Sequence, residues 1–233
     1  MEFKKDIHGK VQDFDYWHKR FYEEVGTPDE VLPSNEEVIN AYRGLLPNEL
    51  LNYWEEFGFC SFLEGGFYLT NPDDYKELLE QYLVNTPLGN REGLYVICKN
   101  SFGKLYIWER GKGNVADINL LTNLITFYAV VDREKLLKEE EELEIASFLA
   151  LKNKELIDMK DKNNKALFDR LLKKLKKVEY TEMYGYKLLS PLGGEKVIKN
   201  FDKVNLFIYA EMQYSMELPY FTIIDLENSF YGF

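Results

Sequence analysis

Cysteine and histidine are nearly missing from this chain of 233 residues. Its two cysteines, Cys60 and Cys98, lie far apart and form no Cys-x-x-Cys pair. That excludes a disulfide framework and a thiolate metal site, and leaves two buried thiols. The two histidines, His8 and His18, both fall near the start, and their spacing suits neither a ligand set nor a triad; a surface or capping role is expected for each. No apolar run reaches the roughly 20 residues that cross a bilayer. The opening MEFKKDIHGKVQDFDYW lacks the continuous apolar stretch of a secretory signal, so a cytosolic protein is expected. There is no nucleophile elbow, P-loop, HExxH or EF-hand loop, and the GKGN and LGG runs are too short to mark a phosphate site. Pro-rich and Gly/Ser-rich tracts are absent as well, which points to a folded chain, with two modest domains as the expectation from its length.

Acid is what the chain has in excess. The formal net charge is −11, and residues 1–86 hold 18 Asp and Glu against 7 Lys and Arg, whereas residues 87–233 hold 22 of each sign. The whole excess therefore lies in the N-terminal part. Such a surface repels phosphate backbones and attracts basic proteins; it also serves solubility, and the charge count leaves both readings open.

Helical periodicity appears early. Val11, Phe14, Trp17, Phe21 and Val25 form one apolar stripe, ended by Gly26-Thr27-Pro28. Ser34 with Glu37 reads as a capping box for a helix closing at Gly44. Pro47 and Glu49 open a third helix that Gly58 ends. Asn71-Pro72-Asp73-Asp74 starts a fourth, reaching about Leu83. After the turn-forming NTPLGNREG, the segments LYVICKN, LYIWER and LITFYAVV read as strands of an antiparallel sheet, with NSFG and GKGN as turns. Residues 132–151 read as a helix whose acids, Glu139 to Glu142, form a solvated face. Leu167, Phe168, Leu171, Leu172 and Leu175 mark another helix, with Lys173, Lys174, Lys176 and Lys177 complementing its dipole. EMYGYKLLSPLGG reads as a turn-rich loop and DKVNLFIYAEMQ as a buried helix.

The densest stretch, YWEEFGFCSFLEGGFYLTNPDDY at residues 53–75, could hold carboxylate chemistry or an aromatic platform. Glu55 and Glu56 are adjacent on a helix and do not face each other, and Asp73 and Asp74 already have a place at a helix start. The rings Tyr53, Trp54, Phe57, Phe59, Phe62, Phe67 and Tyr68 sit in acidic surroundings unsuited to single-stranded nucleic acid, so they read as core.

Two stretches resemble known families. The run FYEEVGTPDEVLPSNEEVINAYRGLLPNELLNYWEEFGFCSFLEGGFYLTNPDDYKELLEQYL, with NSFGKLYIWERGKG after it, resembles the GAD-like domain through its I-x-x-Y-x-G-x-L-P, L-L-x-Y-W-x-E-x-G and N-P-x-x-Y elements. DKNNKALFDRLLKKLKKVEYTEMYGYKLLSPLGG is similar to the C-terminal domain of type VI secretion immunity proteins. It carries their L-F, E-M-Y-G-Y and G-G at Leu167, Phe168, Glu182, Met183, Tyr184, Gly185, Tyr186, Gly193 and Gly194. Pro191 departs from that pattern, and the tail LPYFTIIDLENSFYGF matches neither.

The resemblance implies an immunity protein, not an enzyme. It would bind and neutralise a cognate type VI secretion toxin, a DNase basic enough to grip DNA, without cofactor, metal, membrane or direct nucleic-acid contact of its own. The alternative is a general intracellular binding or regulatory module without a toxin partner; a carboxylate enzyme using Glu55, Glu64 or Asp74 is a third class. The expected fold is α+β: a helical N-terminal region packed with an antiparallel sheet, then a mainly helical C-terminal region, divided as residues 1–131 and 132–233. Candidate partner-binding residues are Tyr180, Glu182, Tyr184 and Tyr186 in one loop and Glu55, Glu56 and Glu64 on an acidic face. For the loop, the other reading is that Tyr184 and Gly185 only lock a turn.

Overall fold

The computed structural model of the protein describes residues 11–128 and 136–224. Three helices, α1 (Phe14–Glu24), α2 (Glu36–Tyr42) and α3 (Asn48–Phe57), precede the short strands β1 (Ser61–Phe62) and β2 (Phe67–Leu69). A 3-10 turn, Pro72–Tyr75, runs into α4 (Lys76–Leu83), followed by β3 (Leu94–Asn100), β4 (Lys104–Glu109), β5 (Gly113–Asn119) and β6 (Leu124–Tyr128). The rest of the chain holds α5 (Lys138–Ala150), α6 (Lys154–Ile157), α7 (Phe168–Leu175), β7 (Glu182–Tyr186), β8 (Phe201–Asn205), α8 (Leu206–Met216) and β9 (Tyr220–Ile224).

Seven strands make one sheet in the order β1-β2-β3-β4-β5-β6-β9, and β7 and β8 make a second. Every pair is antiparallel except β6 with β9, which is parallel. The fold is the expected α+β class.

Because side chains alternate across a strand, each row of paired residues faces one layer. The row Tyr68, Lys99, Leu105, Ile118, Ile125 faces α4, α7, α8 and the β7–β8 pair; apart from Lys99 its members join Leu79, Phe168, Tyr184 and Tyr209 in one core. The row Leu69, Cys98, Tyr106 faces α1, α2, α3 and α5, and packs with Phe21, Trp54, Phe62 and Leu149 in the other. Both cores contain residues from either side of the 131/132 division. Tyr53, Trp54, Phe57, Phe59, Phe62, Phe67 and Tyr68 are all buried, as their core reading requires, and both thiols are buried and unpaired.

Several local expectations change. The cap of α2 is Asn35, whose Oδ1 accepts from Glu37 N at 2.9 Å, while Ser34 Oγ donates to the Trp54 carbonyl at 2.5 Å and ties the entry loop to α3. β5 went unread because Asn114, Asp117 and Asn119 interrupt its apolar pattern. Asp117 is nonetheless buried, held by Lys104 Nζ at 2.6 Å, the Tyr128 hydroxyl at 2.5 Å and Asn114 Nδ2 at 3.2 Å. EMYGY is a strand instead of a loop: Gly185 lets Val204 and the Tyr209 ring close over β7, where an added Cβ would sit 2.4 Å from Val204 Cγ2. Most of the stretch read as a single buried helix is two elements: Asp202–Asn205 finish β8, and Asn205 then caps α8, its Oδ1 accepting from Phe207 N and Ile208 N at 3.1 Å. Part of the tail is β9. His8, residues 129–135 of the expected strand and helix, and the tail beyond Ile224 lie outside the described residues.

The acids of α5 also divide. Glu139 and Glu140 are solvated as expected, but Glu141 accepts from Trp108 Nε1 at 3.1 Å and Gly111 N at 2.7 Å. Glu142 accepts from Asn48 N at 2.9 Å and Glu49 N at 2.7 Å. Pro47 precedes α3 and offers no capping side chain, so a carboxylate from a distant helix satisfies the orphan amides and meets the positive end of the helix dipole. Glu142→Ala is expected to lower stability by about 1–2 kcal/mol, as loss of a cap does, and Glu139→Ala by less than about 0.5 kcal/mol. Urea unfolding of the two variants checks this.

Candidate functional site

The sequence candidates separate into two places. Glu55 and Glu56 stand exposed on the outer side of α3, where Arg43 pairs with Glu55 and the Tyr22 hydroxyl donates to Glu56 at 3.3 Å. Glu64 is exposed in the β1–β2 turn, where Leu63 and Glu64 both take positive φ, and lies 3.9 Å from Lys154. Tyr180 and Glu182 belong to the seam where the 179–186 segment meets β2. Tyr184 and Tyr186 follow them in the chain, but the cover of α7 and α8 puts both rings in the core, so neither is exposed. The Tyr184 hydroxyl donates to the Lys176 carbonyl at 2.8 Å, an internal lock.

Tyr180 bridges the seam. Its hydroxyl donates to Asp74 Oδ2 at 3.0 Å and accepts from Asn71 N at 2.8 Å, which ties the start of the α4 region to the later segment. Glu182 accepts from Glu179 N at 2.9 Å and Lys203 Nζ at 3.0 Å, holding the turn before β7. Beside them is a cavity of about 170 Å³, walled by Glu30, Leu32, Ser61, Tyr68 and Glu179 to Thr181. Ser61 comes from β1, whose edge is extended by the 29–32 segment: Ser61 N donates to the Glu30 carbonyl at 3.2 Å and Asp29 N to the Ser61 carbonyl at 2.7 Å. Its hydroxyl is buried without a hydrogen-bond partner among the described residues. The Tyr68 hydroxyl donates to the Val178 carbonyl. Burial pushes that phenol's pKa up, and the negative charges of Glu179, Asp29 and Glu30 push it further, a sign of how much acid surrounds this spot.

A larger concavity of about 740 Å³ runs between α2, α4 and β3, with Leu45, Leu79 and Tyr95 in its walls. Size favours it as a ligand site, and some of its polar groups are already paired. The Tyr42 hydroxyl donates to Asp73 at 2.8 Å, and Arg91 holds Glu109 at 3.1 Å. The seam cavity differs in having in its wall a buried residue, Ser61, whose hydroxyl has no partner among the described residues.

The sequence reading missed Ser61, Glu30 and Glu179. Ser61 is the one hydroxyl in the aromatic run FCSFL, a signal that could have marked it; nothing local distinguishes either glutamate.

Two family models match the chain: the GAD-like domain over residues 16–122 and the T6SS immunity protein Tdi1, C-terminal, over residues 142–217. Together the two matched segments resemble type VI secretion immunity proteins with this two-part make-up. The second match supports a role as an immunity protein, and with it a toxin partner and an inhibitor's mode of action. No curated protein matches the chain. Its fold is shared with the crystal structure of Atu4351 from Agrobacterium tumefaciens, at a TM-score of 0.79 and 22% identity, over 90% of this chain and 92% of that one. The cavity wall is drawn from both matched segments: Glu30, Leu32, Ser61 and Tyr68 from the first, Glu179, Tyr180 and Thr181 from the second. Among the described residues no helix is long and apolar enough to cross a membrane, and no group of three or more His, Cys, Asp or Glu is placed to hold a metal ion. His18, half-exposed on α1, pairs with Glu49 of α3.

Against the ring of Tyr68 lies a buried cation. Lys99 Nζ donates to the Glu182 carbonyl at 2.8 Å and sits 4.1 Å from the centre of the Tyr68 ring, so the ammonium links β3, β2 and β7. Burial lowers its pKa to about 7, against the opposing pull of Glu182. Burial likewise lowers Lys152, whose ammonium lies 3.6 Å from the centre of the Phe148 ring, to about 8. A lysine whose folded pKa is below its unfolded value binds fewer protons folded than unfolded between those two values. Stability therefore rises with pH from about 7 toward 10, by up to about 1.4 kcal/mol per pH unit for each such group. Lys99→Met, which keeps the volume and removes the charge, is expected to reduce this rise. Denaturant midpoints of both proteins at pH 7, 8 and 9, below the range where tyrosines ionise, test it.

Proposed function

We propose that this protein binds the toxin encoded beside it, a basic nuclease acting on DNA, and neutralises it in the cytosol by covering its active or DNA-binding surface. The immunity-domain match over residues 142–217 carries the reading. The acid excess of residues 1–86 supports a basic partner, because a surface of that sign repels the phosphate backbone such a toxin grips and attracts the toxin itself. Inhibition is by occlusion: the immunity protein performs no chemistry and makes no contact with DNA.

In this reading residues 1–131 and 132–233 are two sequence modules on one shared body. Tyr180 and Glu182 at the seam, together with Glu55, Glu56 and Glu64, face the partner. The exposed carboxylates steer the encounter and raise the association rate, and partly buried aromatic groups such as Tyr180 anchor the complex.

Mixing the purified protein with its neighbouring-gene toxin at low salt is expected to give a co-eluting complex on gel filtration, and no nuclease activity from that complex. Raising ionic strength from about 0.1 to 1 M shortens the screening length from about 10 to 3 Å, so association slows markedly while dissociation changes little. Separate elution at low salt would count decisively against the proposal.

A further inference from the structure

We propose that the seam cavity is a socket for one arginine side chain of the protein partner. The inference rests on the proposed function, since it supplies that function with a docking point. A space of about 170 Å³ suits a single side chain. Its polar groups are acceptors awaiting a donor. Ser61, 2% exposed, is one of the residues that wall this space, and its buried hydroxyl has no hydrogen-bond partner among the described residues. The Glu179 carboxylate has neither a hydrogen bond nor an ion pair among the described residues, although its backbone N–H and carbonyl are engaged with Glu182. Glu30 gives one oxygen to Lys177 at 3.2 Å.

The cations nearby are already committed: Lys177 to Glu30, Lys203 to Glu182 at 3.0 Å, and Lys99 to the Glu182 carbonyl. The Tyr68 and Tyr180 rings, 6.4 Å apart and edge to face, supply an aromatic wall. A guanidinium matches this set better than an ammonium does. It is planar, carries five N–H donors in a fixed fork, stays charged, and stacks on a ring while its edge serves a carboxylate and a hydroxyl together. The wall spans both matched domains, so one arginine seated there would grip the protein where its two halves meet.

Affinity and rates for the catalytically inactivated neighbouring-gene toxin, compared among wild type, Glu179→Gln and Glu139→Gln, test this. Glu179→Gln is expected to weaken binding about tenfold or more, mainly through faster dissociation, whereas Glu139→Gln, the same charge change on an exposed acid of α5, alters it less than about threefold. Ser61→Val repeats the loss without changing charge; because Ser61 borders the core, its melting temperature is measured beside it. One toxin arginine should weaken the wild-type complex when changed to lysine, and the Glu179→Gln complex much less. Equal binding by wild type and Glu179→Gln, or equal losses in the two glutamine variants, would overturn the socket and leave the inhibitor reading standing. Absence of any wild-type complex would overturn both.

Discussion

The central sheet is apolar on both faces, and everything else in the molecule follows from the need to cover both. Leu105, Ile107, Ile118 and Ile125 require one layer, and Cys98, Tyr106 and Trp108 another. A sheet exposed on either face would leave its most hydrophobic residues in water at roughly 25 cal/mol for each Å². Segments from both matched domains meet the requirement: α1, α2, α3 and α5 lie over one face, and α4, α7, α8 and the β7–β8 pair over the other. The parallel pairing of β9 with β6 draws the end of the described chain back to the same sheet. The two families recognised in the sequence are thus not two separate cores.

That arrangement creates the seam. When β7 docks against the sheet, Tyr184 N donates to the Ser101 carbonyl at 2.7 Å and Lys99 reaches the Glu182 carbonyl. The segment leading into β7 is then held over β1 and β2 by Tyr180, with a small gap left beside it. The gap is polar because β1 begins there with Ser61, and acidic because Glu30 and Glu179 come to it from distant parts of the chain. The buried lysine is also an electrostatic compromise: the ammonium loses hydration, and a carbonyl, an aromatic face and nearby carboxylates offset part of that cost.

Much of this was legible beforehand where the signal is local. The stripe in α1, the Asn71-Pro72 helix start, the strands β3 and β4, and the separation of Trp54 and Phe57 from Glu55 and Glu56 all come from periodicity and end chemistry over a few residues. Reading failed where a distant group decides. β5 looks too polar until Lys104 and Tyr128 are seen holding Asp117. EMYGY looks like a turn until β8 pairs with it. Glu141 and Glu142 look like solvent-facing acids until Trp108 and the amides at the start of α3 meet them.

The candidate site divides the same way. Tyr180 and Glu182 were visible as an amphipathic, charged cluster next to each other in the chain, and the acid excess was visible as a count. Tyr184 and Tyr186 share that composition, yet the cover of α7 and α8 buries both rings. The sequence by itself determined the class of fold, the family resemblance and the sign of the net charge, because patterning, motif order and charge are properties of the chain. Only the tertiary structure decided that Glu30, Ser61, Tyr68 and Glu179 share one cavity, because no rule of spacing relates residues more than a hundred positions apart until a sheet that must be covered on both faces brings them together.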